Sequence, residues 1–294
     1  MVFETNYVGN SSIHILDLWD PDQAVLGTGP VEPRRRYFAT IPNVTDIRYQ
    51  ESRGTGGYHS LQTTLTKRFS QGLSFMGNYT WSHSMAQGSG IFGPGAGHQD
   101  SRNLNADRGL SATDVRHRFI ANWLYELPFG AGKRMASNAS GVLQQIIGNW
   151  QFGGVVGIQS GSPLTVTGGA GRPNRSCDGN LPRGERTVDR WFDGKCFPIP
   201  DPLPDPVHGG VYIPYGNAGG MVIIGPGFAN FDLSLFKRFD LDEHRRFEFR
   251  SEFFNAFNHT QFGNPQSGAN SPLTGRILTA RDARQIQIAL KFIF

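Results

Sequence analysis

The sequence predicts an all-β fold built from antiparallel strands, and two observations lead to this prediction. Apolar and polar side chains alternate with a period of two in many segments, and a strand places successive side chains on opposite faces. The 294-residue chain also contains 38 glycines and 22 phenylalanines, which are common in turns and on pleated surfaces respectively. No run approaches the ~20 apolar residues of a helix that crosses a membrane.

The clearest alternation predicts a hairpin near the first quarter of the chain. Between Leu73 and Trp81 the large apolar side chains occupy odd positions, and Ser, Met, Asn and Thr occupy the even ones. From Leu61 to Phe69 the large apolar residues likewise occupy odd positions. Only Ser70–Gly72 separate the two runs, which indicates a tight turn.

Repetition of this pattern predicts about eight strands, each near the ~9–11 residues that a tilted membrane strand needs. Strands of soluble sheets are shorter, most often ~5–6 residues. The strands are expected near residues 2–9, 58–69, 72–83, 115–127, 150–160, 228–239, 246–257 and 284–294.

Two folds compete for this pattern, a soluble β-sandwich and an antiparallel transmembrane β-barrel. The barrel is favoured because aromatic or large apolar residues sit near strand ends, as in interfacial girdles. These residues are Phe69, Leu73, Trp81, Tyr125, Trp150, Phe239 and Phe247.

The connections also favour a barrel of the outer membrane of a Gram-negative bacterium, with its apolar rows in contact with lipid. Short turns near 70–72 and 240–245 alternate with long segments expected to be extracellular loops. The exception is 128–149, which is long on the side of the short turns and contains a brief predicted helix at 142–147. The long loops are 10–57, 84–114, 161–227 and 258–283.

Several other functions are disfavoured. The net charge of +4 is scattered along the chain, so no nucleic-acid partner is expected. Ser89 and Ser160 lack the surroundings of a hydrolase nucleophile. The glycine-rich stretch Gly93–Gly97 lacks the Lys-Ser/Thr of a phosphate loop and is expected to be a flexible loop. We therefore expect no enzyme, no catalytic residue and no cofactor.

Histidines near the third strand suggest a metal or siderophore site as an alternative. His83, His98, Asp100 and His117 could converge above one strand pair, but their spacing matches no metal-ligand motif. A solvated loop is therefore the favoured interpretation, with no metal ligand assigned.

Charged residues on the polar side of the strands are expected to line the barrel lumen, because charges facing lipid are penalised. They could form a cross-strand network or a substrate path. The set comprises Arg116, Arg118, Glu126, Asp232, Arg238, Glu248, Arg250 and Glu252.

The two cysteines, Cys177 and Cys196, lie in the longest expected loop. An extracellular loop is an oxidising environment, so we predict a disulfide between them.

Three ordered segments carry a resemblance to the late barrel strands of TonB-dependent receptors. They are Asp114–Phe119, Tyr125–Gly130 and Gly148–Phe152; Phe253–His259, Phe262-Gly263 and the terminal Phe294 fit as well. The sequence is most similar to the Oar-like group, which has carboxypeptidase-regulatory-type N-terminal domains. The resemblance covers most of the chain from about Tyr58 onward.

The resemblance implies a 22-stranded barrel with an N-terminal plug that is powered through the TonB system. With about eight strands, this chain is expected to be the C-terminal part of such a barrel, open or incomplete, from a truncated or split gene. Its first residues lack the basic and apolar regions of a signal peptide, so an export signal is expected upstream. TonB would act only through the missing plug.

The last strand is expected to be read by the barrel-assembly machinery, because a barrel loses its free edges only when its last strand is paired. Its apolar ladder resembles the terminal signal of such barrels and includes Ile288, Leu290, Phe292 and Phe294.

The expected function is therefore that of a receptor or transporter barrel fragment that takes up an unknown small ligand in the intact protein. The alternative is a structural or adhesive barrel that closes on eight strands. Small lumen positions such as Gly153 and Gly157 disfavour that alternative, because side chains fill the interior of an eight-stranded barrel.

Overall fold

The protein is one antiparallel sheet of eight long strands with extensive loops at one rim. The computed structural model describes residues 1–87, 98–242 and 244–294. Each long strand pairs with the next one along the chain. The strands are β1 (Val2–Trp19), β2 (Tyr49–Ser70), β3 (Leu73–Gln87), β4 (His117–Glu126), β5 (Trp150–Gln159), β6 (Phe228–Asp240), β7 (Arg246–Phe254) and β8 (Gln285–Ile293).

Shorter elements lie in the connections. Helix α1 spans Gly141–Ile147, and a short strand, Arg108–Leu110, pairs with the end of β3. Two-residue strands pair Pro163–Leu164 with Ile223–Ile224 and Leu203–Pro204 with Val211–Tyr212. Single 3-10 turns occupy Glu32–Arg34, Leu104–Asp107, Arg183–Glu185 and Gly194–Cys196.

The sheet is open. β1 and β8 lie at its opposite edges, and no pairing joins them within the described part of the chain. The prediction of an antiparallel all-β sheet that is incomplete within this chain is therefore confirmed. Among the described residues, no helix is both long and apolar enough to span a bilayer.

Strand register gathers the apolar side chains on one side of the sheet, which we call the apolar face. One row of residues illustrates this alignment, because each residue in it is the direct cross-strand partner of the next. The row runs Phe75, Trp123, Gly154, Leu233, Phe253 and Ile286. The opposite side, the polar face, carries rows such as Asn122, Val155 and Asp232.

Glycines on the apolar face make room for aromatic rings. A Cβ atom at Gly154 would lie 2.5 Å from Cζ2 of Trp123 on the neighbouring strand. A Cβ at Gly77 would lie 2.9 Å from Cζ of Phe75. Both distances are shorter than carbon atoms tolerate, so a side chain at either glycine would force the ring that lies over it to move.

The first hairpin is longer than the alternation predicts. β1 continues to Trp19 and β2 begins at Tyr49, so their loop covers 20–48 rather than 10–57. Eighteen residues in β1 reach roughly 60 Å at ~3.3 Å per residue, well beyond an apolar band of ~25 Å. The part beyond that band has no need of one apolar face, which is why the alternation stops early.

The remaining strands differ from the expected bounds by a few residues. β3 extends to Gln87, β4 begins at His117 and β7 ends at Phe254. The long connections at one rim, which we call the loop rim, are consequently 20–48, 88–116, 160–227 and 255–284. The opposite rim, the short-turn rim, has tight turns at 71–72 and 241–245 and the longer connection 127–149, which contains α1.

Arginine substitutions at two neighbouring valines of β5 test which face of the sheet contacts hydrocarbon. Val156 lies on the apolar face and is 8 % exposed, whereas Val155 lies on the polar face and is 49 % exposed. We expect Val156→Arg to destabilise the membrane-inserted protein by about 2–4 kcal/mol more than Val155→Arg, because a lipid-facing arginine carries that penalty near the bilayer midplane. Urea titration in lipid vesicles measures the difference, and a larger effect at Val155 would reverse the assignment of the faces.

Candidate functional site

The main buried apolar cluster lies at the loop rim rather than in the sheet. It sits within connection 160–227, which we call the rim unit, and its partly buried neighbours are Leu164, Val222 and Ala269. This connection, expected from the sequence to be a long extracellular loop at 161–227, folds as a compact body with a core of its own. The buried residues are Val166, Phe192, Cys196, Phe197, Ala218 and Ile223.

A disulfide cross-links two parts of the rim unit. Cys177 and Cys196 are joined at an S–S distance of 1.99 Å and a Cα–Cα distance of 5.0 Å. Cys196 belongs to the buried cluster, and the Ser176 amide donates to its carbonyl oxygen at 2.9 Å. The bridge therefore fastens the outer part of the rim unit to its core.

Connection 255–284 packs against the rim unit through backbone hydrogen bonds. The amide of Trp191 donates to Gly275 at 2.8 Å, that of Ile277 to Val188 at 2.7 Å, and that of Ala269 to Thr167 at 2.7 Å. The two connections consequently form one continuous surface.

The Phe253–His259 motif forms the turn that leads into this connection. Asn255 has a left-handed backbone with φ of 50°. Its side-chain oxygen accepts from the His259 amide at 2.9 Å, and its amide nitrogen donates to the His259 carbonyl at 3.0 Å. Asparagine tolerates this backbone geometry better than most residues, so the motif has a structural reason that needs no ligand.

A buried charged cluster joins three parts of the loop rim. The fully buried His98 ring lies between two carboxylates, with Nε2 at 2.8 Å from Oδ2 of Asp17 and Nδ1 at 2.8 Å from Oδ2 of Asp107. Arg172 of the rim unit donates to Asp107. Since both ring nitrogens face carboxylates, the protonated imidazole can donate to both at once.

The pKa values in this cluster follow from its hydrogen bonds. Burial alone would lower the pKa of His98, but the hydrogen bonds to Asp107 and Asp17 outweigh it and raise that pKa. Burial alone would raise the pKa of Asp107, but His98 and Arg172 together lower it. The folded cluster therefore favours the charged form of the His98 imidazole and the ionised form of the Asp107 carboxyl.

Two glutamines extend the cluster into neighbouring loops. Gln99 accepts from the Arg172 amide at 2.7 Å and donates to the Gly216 carbonyl at 3.1 Å. Gln23 in connection 20–48 donates to the Gln99 carbonyl at 3.1 Å. Connections 20–48, 98–116 and the rim unit are thus held together by specific polar contacts.

Asp205 provides a second link between connection 20–48 and the rim unit. Its carboxylate accepts from the amides of Thr28 at 2.8 Å, His208 at 3.1 Å and Val207 at 2.9 Å. These backbone donors, that of Thr28 first, lower the pKa of Asp205. A carboxylate with several amide donors stays ionised and holds its loop in one conformation.

The residues considered for a metal or siderophore site have separate partners. His83 Nδ1 lies 2.9 Å from an Arg116 nitrogen, and His117 Nδ1 lies 2.8 Å from the Tyr79 hydroxyl. Asp100 accepts from the Arg102 amide at 3.0 Å. Within the described ranges, no group of three or more His, Cys, Asp or Glu side chains is placed to hold a metal ion. The glycine-rich stretch 93–97 lies outside the described residues.

Strand register places seven of the eight expected lumen charges on the polar face, while Arg116 precedes β4 and reaches His83 instead. Ion pairs on the polar face include Arg250–Glu252 at 3.0 Å and Arg246–Glu248 at 3.2 Å, each within one strand, and Glu126–Lys133 at 2.8 Å, which joins β4 to connection 127–149. None of these three pairs joins two neighbouring strands, so they do not by themselves form the cross-strand network that is one of the two alternatives for these charges. The seven are Arg118, Glu126, Asp232, Arg238, Glu248, Arg250 and Glu252.

Sequence reasoning missed Asp17, Asp107 and Arg172 entirely. Asp17 lay in a segment assigned to a loop, and Arg172 in a connection with no recognised fold. The rim unit did carry a signal, because Trp191-Phe192, Phe197 and Ile223 are unusually apolar for a solvated loop.

Because of this charged cluster, we expect the local stability of the loop rim to fall at alkaline pH. A raised pKa of His98 means that its stabilising contribution is complete below its ordinary pKa of 6.5 and is lost as pH rises through the higher folded value. The contribution of Asp107 is lost only in acid, as pH falls below its ordinary 3.8. The protection factors of the amides of residues 98–116, which compare the observed exchange rate with that of an unfolded chain at the same pH, should therefore fall between mildly acidic and alkaline buffer.

Two variants test whether His98, rather than another histidine, causes this pH response. We expect His98→Ala to lower the local stability by about 3 kcal/mol, because Asp17 loses the partner of a buried pair, and to abolish most of the pH response. The control is His208→Gln, which removes the half-exposed pair with Asp205 and should leave the response of residues 98–116 intact. An unchanged response in His98→Ala would contradict the assignment.

The disulfide makes a separate prediction. Thiol titration of unreduced, membrane-isolated protein should find no reactive cysteine. The double variant Cys177→Ser/Cys196→Ser should destabilise the rim unit by about 3 kcal/mol, because a bridge across a loop of this size lowers the entropy of the unfolded chain by that amount. Protease cleavage within 178–195 reports the change. Two reactive thiols in the native protein would refute the bridge.

Comparison with known proteins agrees with this architecture. A family model described as an outer membrane beta barrel domain matches residues 1–287. Comparison with curated proteins found no match. Among solved structures, FpvA of P. aeruginosa, described in complex with an iron-loaded pyoverdine, is similar at 9 % identity and a TM-score of 0.38, over 99 % of this chain and 27 % of that chain. This chain thus spans about a quarter of the length of FpvA. With its family model matched over nearly all of its length, the chain belongs to the outer membrane β-barrel domain family.

Proposed function

We propose that this chain is a wall section of a TonB-dependent receptor of the Oar-like group, which takes up a small ligand across the outer membrane of a Gram-negative bacterium and catalyses no reaction. The observation that carries the proposal is the braced loop rim, in which the disulfide, the His98 cluster and the rim-unit core hold together the described parts of four connections. A rigid set of loops on a scaffold is the usual form of a recognition surface.

The preorganised loop rim supports binding of a specific ligand rather than general contact with the environment. Loops that are already ordered lose little conformational freedom when a ligand binds, and this preserves affinity. Here the ordering contacts are buried, as shown by His98 and by Phe192 and Phe197 of the rim unit.

The open sheet supports a wide barrel. β1 and β8 lie at opposite edges, so the eight strands are proposed to form part of a larger wall, with the polar face toward the lumen. A groove of about 590 Å³ on that side is lined by Glu126, Lys133, Arg238, Glu248 and Arg250, among others. These charges are proposed to stay hydrated or to contact the plug expected from an upstream segment.

The apolar ladder of β8 is proposed to be the segment that the barrel-assembly machinery recognises. Ile288, Leu290 and Phe292 are exposed on the apolar face, and the Phe292 ring lies 4.8 Å from that of Phe247 and 5.7 Å from that of Phe294. In this proposal the same residues guide insertion first and contact lipid afterwards.

Uptake measurements test the proposal. Cells that carry the intact gene and cells that lack it are given four labelled probes in turn: an iron-loaded hydroxamate siderophore, cobalamin, a maltooligosaccharide and a short peptide. We expect at least tenfold accumulation of one probe, and its loss when a protonophore removes the energy supply. Absence of energy-dependent accumulation for all four contradicts uptake, and loss of surface attachment on deletion would then favour the adhesive alternative.

Variants connect uptake to the loop rim. Cys177→Ser/Cys196→Ser should raise the half-saturating concentration of the accumulated probe without changing the amount of protein in the outer membrane. Ser137→Ala, an exposed position at the short-turn rim, is the matched control and should change neither. Equal behaviour of the two variants would remove the rim unit from recognition.

A further inference from the structure

Helix α1 at the short-turn rim turns its apolar side away from the protein. Val142, Leu143 and Ile146 are 76 %, 53 % and 61 % exposed. Its glutamines are bonded to the rest of the protein instead: the half-buried Gln144 accepts through Oε1 from the Ala131 amide at 2.6 Å, and the exposed Gln145 donates through Nε2 to the Asp240 carbonyl at 3.0 Å. This is the reverse of a helix on a water-exposed surface, where the apolar stripe faces the core.

The helix is held firmly in this orientation. At its C-terminal end, Trp150 Nε1 donates to the Ile146 carbonyl at 2.9 Å, and Lys237 Nζ donates to the Gly148 carbonyl. Both the hydrogen bonds and the positive charge suit the partly negative end of a helix. The exposed apolar side chains are thus presented by a fixed element rather than by a frayed segment.

The exposed surface of α1 is continuous with the apolar face of the sheet. Trp150 and Leu235 belong to that face, as their pairing with Lys237 and Phe152 places them in its rows. Between helix and sheet lies an apolar groove of about 430 Å³, lined by Leu127, Phe129, Ile146, Ile147, Trp150 and Leu235. In an outer membrane barrel the apolar face contacts lipid, so the helix extends that lipid contact beyond the strands.

The charge of the connection fits a phospholipid surface. Residues 127–149 contain Lys133 and Arg134 and no acidic residue. Lys133 contacts Glu126 at 2.8 Å, while Arg134 is exposed. A connection that carries basic residues together with an exposed apolar helix has the composition of elements that lie in the interface of a membrane with anionic lipids.

We infer that α1 is an interfacial anchor for phospholipid. Val142, Leu143 and Ile146 enter the acyl region of the leaflet at the short-turn rim, the groove takes part of one acyl chain, and Arg134 lies among the headgroups. The anchor fixes the wall against the bilayer at the one connection on this rim that is longer than a tight turn.

Depth-dependent fluorescence quenching tests the anchor. The protein is purified with an environment-sensitive label on a single introduced cysteine and reconstituted into phosphatidylethanolamine/phosphatidylglycerol vesicles that contain lipid spin-labelled near the top of the acyl chain. We expect at least threefold stronger quenching for Leu143→Cys than for Gln145→Cys, which lies on the opposite side of the same helix. Leu290→Cys on β8 serves as the lipid-contact reference.

The outcomes are separable from those of the proposed uptake. Quenching at Leu290→Cys without quenching at Leu143→Cys overturns the anchor and leaves the barrel assignment standing. Equal quenching at Leu143→Cys and Gln145→Cys also overturns it, because only one side of the helix should contact lipid. Intermolecular cross-linking through Leu143→Cys, in place of quenching, would assign this surface to a second copy of the chain and equally overturn the inference.

Discussion

Backbone hydrogen bonding is the constraint on which the rest of the structure depends. Hydrocarbon offers no partner to an amide or a carbonyl, so every strand that crosses it must be paired along its length with a neighbour. Here each long strand pairs with the next one in the chain. Register then decides which side chains share a face, because a slip of one residue would move a whole row to the other side.

The same constraint explains how much of the fold was predictable from the sequence. From β3 to β8 the strands lie mostly within the apolar band, so one face must be apolar and the alternation is visible at Phe75, Trp123 or Phe253. The outer half of the first hairpin lies beyond that band. Residues such as Ser11, Ser12, Gly56 and Gly57 pair there without any need for an apolar side, and local pattern could not reveal them.

The loop rim was harder to predict because its contacts join residues far apart in the chain. His98 meets Asp17 and Asp107, and Arg172 reaches Asp107 across 65 positions. No local periodicity links such residues, and a charged residue in a polar stretch usually remains in solvent. The cysteine pair was predictable in advance because only two cysteines exist and the expected compartment is oxidising.

The burial of the Lys237 ammonium group bears on the depth at which the short-turn rim can lie in a membrane. It is the one charged residue in its row of the apolar face, yet it is buried between the Trp150 and Phe239 rings, with Nζ 5.3 Å and 5.0 Å from their centroids. An ammonium group so placed tolerates the headgroup boundary but not the bilayer interior. A shift of this rim by two residues, roughly 7 Å, toward the bilayer centre would bring the charge into hydrocarbon, so the burial of this amine opposes a deeper position of the sheet.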